Sequence, residues 1–200
     1  MFFQLPGRCN WIWLLGDSLV RRAGDRAFAT RRNYLGASQQ NDQVKWLGRG
    51  GMKLHDVPRA LQEHLRTKPA PTMLIIHAGT NDLGLYDAKQ CRQAVDDVLN
   101  ASRELLPECH ITFSSILPRL FYYSYNRGTH SQSALNKVRK TINKHARRRI
   151  RRMYWASYIE HNFNVQQHHF YQRDGIHLSD EGTDILIGDF EAAVNLATNP

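Results

Sequence analysis

Two short apolar runs, each cut off by a polar motif containing glycine, constrain this chain more than anything else in it. Trp11-Ile-Trp-Leu-Leu15 runs into Gly16-Asp-Ser18, and Thr72-Met-Leu-Ile-Ile-His77 runs into Ala78-Gly-Thr-Asn-Asp82. Neither run alternates apolar with polar residues, which marks a strand covered on both faces rather than one with a face in water. Further short strands are expected over 43–47, His110–Ser114 and Met153–Tyr158. Helical spacing of apolar residues predicts helices over Leu19–Ala29, Leu54–Leu65, Ala88–Leu106 and from Leu135 to Arg152. Ser179-Asp-Glu opens a last helix with a hydroxyl cap and two acids in its first turn, and this helix is expected to bury Ile185, Leu186, Phe190 and Val194. Five strands alternating with helices give an α/β fold: a mainly parallel sheet with helices on both faces.

With 200 residues, 42% of them hydrophobic, the chain has material for one sizeable core, and a single domain over 1–200 is expected. Nothing in the composition marks disorder, a fibre or low complexity. Cys9, Cys91 and Cys109 form neither a disulfide framework nor a metal-ligand spacing, so buried free thiols are the expected state. The Trp11–Leu15 run is too short for a signal peptide, and no stretch approaches the ~20 apolar residues of a membrane span. A cytoplasmic or nuclear location is the resulting expectation.

Polar motifs at strand ends carry the chemistry, because ligands of open parallel sheets bind beyond the carboxyl ends of the strands. Ser18, between a strand and a helix, either caps that helix or stands as a nucleophile beside a helix N-terminus that favours negative charge. Asn81 either shapes a turn or donates its amide to an oxyanion. Gly50-Gly51, after the second strand, either forms a plain loop or lets backbone N–H groups approach a substrate. Asp174-Gly-Ile-His177 spaces a carboxylate to reach one imidazole nitrogen and leave the other free for a serine hydroxyl. A metal reading of His168, His169, Asp174 and His177 matches no common zinc spacing.

Taken in order, Gly16-Asp-Ser-Leu19, Gly51, Gly79-Thr-Asn-Asp82 and Asp174-Gly-Ile-His177 resemble the four sequence blocks of the SGNH (GDSL-type) hydrolases, and the likeness runs from Trp11 to about Val194. The resemblance implies a flavodoxin-like three-layer α/β/α fold with a five-stranded sheet, and hydrolysis of an acetyl, acyl or lipid ester through an acyl-enzyme. It implies Ser18 as nucleophile, His177 as general base and acid, and Asp174 orienting it. The Ser18 and Gly51 N–H groups and the Asn81 amide would form the oxyanion hole, and neither metal nor organic cofactor is implied. The basic composition and the Gly48-Arg-Gly-Gly51 block also resemble the esterase domains of LINE retrotransposon first-open-reading-frame proteins.

The net charge of +9 has one source. Nine Lys and Arg lie between Lys137 and Arg152 with no acid among them, and the other 18 basic residues balance the 18 acids. Leu135, Val138, Ile142, Ala146, Ile150 and Met153 recur at helical spacing within that segment, so its apolar stripe is expected in the core and its cations outside. Lys137, Lys140, Lys144, Arg147, Arg148 and Arg151 either form a solvated face or are candidate contacts to nucleic acid or an anionic membrane surface. A competing reading makes the chain an RNA- or DNA-binding or assembly module in which hydrolysis is secondary or lost. Arg21 and Arg22 on the nucleophile's helix are candidates to favour an anionic substrate such as a phospholipid. The aromatic-rich stretch from Pro118 to His130 is expected to form a wall of the site.

Overall fold

The computed structural model of the protein describes residues 10–37, 42–122 and 132–198. Five strands, β1 Asn10–Gly16, β2 Asp42–Gly48, β3 Met73–His77, β4 His110–Ser114 and β5 Ala156–Ile159, pair in parallel in the order β2-β1-β3-β4-β5. This is the flavodoxin-like order, with its switch point between β1 and β3. Five helices cover the sheet: α1 Ser18–Ala29, α2 Val57–Leu65, α3 Ala88–Leu105, α4 Gln132–Ile150 and α5 Asp180–Thr198.

The apolar runs are buried on both faces, as their lack of alternation requires. Trp13, Leu15, Leu74, Ile76, Ile111 and Phe113 face α2, α3 and α4 in one core. Ile12, Leu14, Met73 and Ile75 face α1 and α5 in the other. Helix α1 and the turn after it are also joined to α5, by Arg26 to Asp180 and Asp184 and by Arg32 to Glu191. Partly exposed pairs of that kind contribute ~0–1 kcal/mol each. Burial of side chains such as Val20, Leu186, Phe190 and Val194 contributes ~1.5–3 kcal/mol for each large one, so apolar packing dominates this layer.

Several boundaries depart from the sequence reading for local reasons. Residues Leu54–Asp56 form a 3₁₀ turn before α2, whose first turn accommodates Pro58, a residue without an N–H. Helix α4 begins earlier than expected, at Gln132, and Arg151 and Arg152 lie in the turn beyond it. The fifth strand starts three residues late, because the Met153 N–H closes the end of α4 on the Ile150 carbonyl (2.8 Å) and Tyr154 points to solvent. On α5, Ile187 takes the core position expected of Ile185, which is 36% exposed. Cys91 and Cys109 are buried free thiols whose burial pushes them up to about 12; Cys9 lies outside the described residues. No helix among the described residues is long and apolar enough to cross a membrane.

Strand ends are level where the site is built. Gly16 lies opposite both Gly48 and His77. A Cβ on Gly16 would stand 2.1 Å from the His77 carbonyl oxygen, so only glycine permits this approach of β1 to β3. Just past β3, the fully buried Asp82 carboxylate accepts the Leu54 N–H at 3.1 and 3.3 Å and ties the loop after β2 to the loop after β3. Burial raises its pKa to about 7 against the lowering effect of that N–H. A carboxyl whose pKa is higher in the folded than in the unfolded state loses stability as pH climbs from its unfolded value toward its folded one. Asp82→Asn, which keeps an acceptor for Leu54, is therefore expected to flatten the decline in stability between about pH 4 and pH 7, as read by urea denaturation at a series of pH values.

Candidate active site

Four loops at the carboxyl edge of the sheet converge on one cluster. The first, after β1, is Gly16-Asp17-Ser18. Asp17 caps α1 by accepting the Leu19 N–H (2.9 Å), so the capping role open to Ser18 in the sequence falls to its neighbour. The hydroxyl of Ser18 is thereby left free to face the loop before α5. There the Ser18 Oγ lies 3.2 Å from His177 Nε2, and His177 Nδ1 lies 2.6 Å from Asp174 Oδ2.

The Asp174–His177 turn holds that carboxylate in place. Its other oxygen accepts the N–H groups of Ile176 and His177, both at 2.9 Å, and Gly175 adopts the left-handed conformation the turn demands (φ 64°). Partial burial opposes ionisation of Asp174, but the His177 ring and the two backbone donors outweigh it and lower its pKa to about 2. Asp174 is thus a carboxylate at neutral pH, accepting the Nδ1 proton and leaving Nε2 as the acceptor that faces Ser18.

Asn81 sits where the other loops meet. Its Oδ1 accepts from the Arg119 guanidinium (3.1 Å), and its Nδ2 donates to the Met52 carbonyl (3.0 Å). A guanidinium can only donate and a carbonyl can only accept, so the two contacts fix which end of the amide is which. The same Nδ2 gives its second hydrogen to a longer contact, 3.5 Å, with Asp17 Oδ2 beside the nucleophile loop. Met52 follows Gly51, which is exposed, with open space where a side chain would stand. The Arg49 N–H bonds the Gly16 carbonyl (2.8 Å) and holds this loop against the end of β1. Ser18, Gly51 and Asn81 are thus brought to one edge.

Asp17 is 1% exposed, and its burial raises its pKa to about 6, against the Leu19 N–H and the charges of Arg119 and His177. Neither Asp17 nor Arg119 was singled out from the sequence. Capping aspartates are common, and Arg119 lies 101 positions beyond Ser18 with no motif around it. Of the arginines that were singled out, Arg21 is exposed on α1 and Arg22 reaches Gln172 (3.4 Å) in the loop before Asp174. The Pro118–His130 stretch is described only to Tyr122. That part lies against the site, with the Leu120 N–H on the Gly175 carbonyl (2.8 Å); 123–130 lies outside the described residues. Among the described residues no three His, Cys, Asp or Glu side chains are placed to hold a metal ion.

A second line of the same residue types lies in the interior. Asp189 Oδ2 is 2.6 Å from His161 Nδ1, His161 Nε2 is 2.6 Å from Ser114 Oγ, and Ser114 Oγ is 2.7 Å from His77 Nδ1. The His161 side chain is fully buried, and burial, with the nearby His161, lowers the His77 pKa to about 3. No substrate reaches a hydroxyl in that position. The line joins the ends of β3 and β4 to α5, whereas the Ser18 line is open to solvent through a 40% exposed Asp174.

Fold and site together define the class of the SGNH-type ester hydrolases. The chain belongs to the GDSL-like lipase/acylhydrolase family, whose model matches residues 14–185. Among solved structures it is similar to a GDSL-like lipase from Bacteroides thetaiotaomicron (TM-score 0.67, 14% identity, 94% of this chain and 89% of that one). It is also similar to a carbohydrate esterase family 3 protein from Talaromyces cellulolyticus (0.63, 17%, 94% and 97%) and to a lipolytic protein of the G-D-S-L family from Veillonella parvula (0.64, 14%, 96% and 100%). At these identities the likeness is one of fold. A comparison with curated proteins finds no match. These neighbours do not bear on the narrower likeness to retrotransposon esterase domains.

Arg119 acts on the site through Asn81, which gives a direct test. Arg119→Ala is expected to lower kcat for a p-nitrophenyl ester by roughly tenfold with little change in KM, since it loosens the amide that is the candidate oxyanion donor. In an Asn81→Ala background the same change is expected to have no further effect, as steady-state rates of the double variant would report.

Proposed function

We propose that this protein is a serine esterase that cleaves carboxylic esters through an acyl-enzyme on Ser18. The observation that carries this reading is the unbroken line from Ser18 Oγ to His177 Nε2 and from His177 Nδ1 to Asp174 Oδ2, at 3.2 and 2.6 Å, in a place solvent reaches. The longer first contact is still within the range of a nucleophile–base pair, which tightens as the reaction proceeds.

In the proposed reaction Ser18 Oγ attacks the ester carbonyl as its proton passes to His177 Nε2, and Asp174 stabilises the imidazolium. Charge on the former carbonyl oxygen meets the Ser18 and Gly51 N–H groups, the Asn81 amide and the positive end of α1. Collapse of this intermediate breaks the ester C–O bond, His177 returns the proton to the leaving alkoxide, and the alcohol departs. Water then attacks the acyl-enzyme with His177 again as base, which releases the acid and restores Ser18. The four donor and acceptor groups come from loops fixed at the sheet edge, so the site needs little reorganisation during turnover.

The acyl group remains a choice among acetyl, longer acyl and lipid esters. Names of similar structures, a carbohydrate esterase and a GDSL-like lipase, point to esters of sugars and of lipids respectively. An open triad favours small or protruding esters over long chains that need an enclosed apolar tunnel, and an acetyl ester is accordingly the first substrate to try.

Purified wild-type protein is expected to release p-nitrophenol from p-nitrophenyl acetate, and Ser18→Ala to abolish that release while leaving the circular dichroism spectrum unchanged. Asp174→Asn is expected to reduce kcat by up to ~10⁴-fold, the loss seen when the equivalent carboxylate of a serine protease is neutralised and the imidazole tautomer is misplaced. Wild-type rates in Ser18→Ala would remove the serine from the mechanism.

A further inference from the structure

We infer that the flank of the molecule between α4 and the edge strand β5 is a binding groove for single-stranded nucleic acid. The structure sorts the cations of the basic segment by what they do. Arg139 is committed to the fold: its guanidinium donates to Asn136 (2.8 Å) and to the Ile116 carbonyl (2.9 Å) after β4. Arg149 is paired with Asp96 on α3 at 2.8 Å. Lys140, Lys144, Arg147 and Arg151 are exposed and follow one another at steps of four, three and four residues, which places them in one row along the helix and the turn that closes it, where the Arg151 N–H still bonds the Arg147 carbonyl (3.2 Å).

That row runs beside a depression. Two adjoining cavities of about 390 and 310 Å³ lie between it and β5 and share Arg147, Tyr158 and Glu160 in their walls. Eleven residues of helix rise span ~16 Å, so the row presents positive charge along a line rather than at a point, which suits a linear polyanion better than an isolated phosphate. The acid in the walls is Glu160, which Arg147 meets at 2.9 Å. The half-buried Tyr158 adds an aromatic ring to both walls, and an aromatic ring along a cationic groove is a feature that holds single strands by stacking and charge.

An anionic membrane fits less well. The apolar stripe of α4, Leu135, Ile142, Ala146 and Ile150, is buried in the core and offers no face for insertion among lipids. The surface is also concave where a bilayer demands a flat or convex one. Strands β3 and β4 separate the groove from the end of β1 that carries Ser18, so occupation of one site leaves the other accessible.

Fluorescence anisotropy of a labelled single-stranded oligonucleotide, titrated with the full chain across a range of salt, tests the groove. Wild type is expected to bind with a log–log salt slope near −2, from ~0.7 per cation for Lys140, Lys144 and Arg151, Arg147 being held by Glu160. Replacing Lys140, Lys144 and Arg151 together by Gln is expected to weaken binding at least tenfold and to reduce the slope by about two. A control replacing Lys89, Arg148 and Arg152 by Gln removes equal charge from outside the row, Lys89 being exposed on α3, and is expected to change binding less than threefold. Hydrolysis of p-nitrophenyl acetate is expected to be equal in all three proteins; its absence from all three would count against the esterase and leave the groove standing. Equal losses in both triple variants, no binding at low salt, tighter binding to the duplex of the same sequence, or preference for vesicles of phosphatidylcholine and phosphatidylserine over the oligonucleotide would each overturn the inference.

Discussion

The side-chain amide of Asn81 is the contact on which the geometry of the site depends. It stands just past β3, holds the carbonyl after Gly51 with its nitrogen and receives Arg119 from beyond β4 on its oxygen, with Asp17 and the nucleophile loop on its open side. One planar group thereby sets the spacing of loops that follow four different strands. A planar amide with its ends held by a pure donor and a pure acceptor has no low-energy flip, so both its N–H bonds keep their directions. Such fixed dipoles stabilise developing charge without being reoriented during the reaction.

The sheet supplies the rigidity this arrangement needs. Because β1, β3 and β4 are buried on both faces, their ends cannot drift without opening a core, and Gly16 lets β1 and β3 end close together at the switch point. Polar groups reinforce the apolar packing at this edge: Asp82 fastens the loop after β2, Asn143 exchanges two hydrogen bonds with the peptide of Ile116, and the line from His77 to Asp189 joins two strand ends to α5. The interior and exposed Ser–His–Asp lines differ in access rather than in chemistry. Burial makes the first a strut, whereas the second is positioned to meet a substrate.

Much of this was legible in the sequence because strands covered on both faces leave an apolar signature and strand-end motifs follow directly upon it. Ser18 and Asn81 adjoin such strands, Gly51 follows the half-buried β2, Asp174 and His177 precede the capped start of α5, and the structure assembles them at one edge. Arg119 and the His77–Ser114–His161–Asp189 line were not legible, since their partners lie far apart in sequence and nothing local distinguishes them from surface polar residues. The basic segment was read as a charge block without counterions. Its counterions come from elsewhere, Asp96 on α3 and Glu160 after β5, and the fold decides which cations are structural and which remain exposed. Boundaries shifted where a single peptide dominates, as at Pro58 and Met153.

The central claim is that Ser18 is a nucleophile activated by His177. Treatment of the folded protein with a fluorophosphonate, followed by peptide mass spectrometry, tests it most directly, because the reagent forms a stable bond only with an activated serine. The account requires one adduct per chain, on the peptide carrying Ser18, and its disappearance in His177→Ala. An adduct on another serine, or labelling of Ser18 that persists at the same rate without His177, would contradict it.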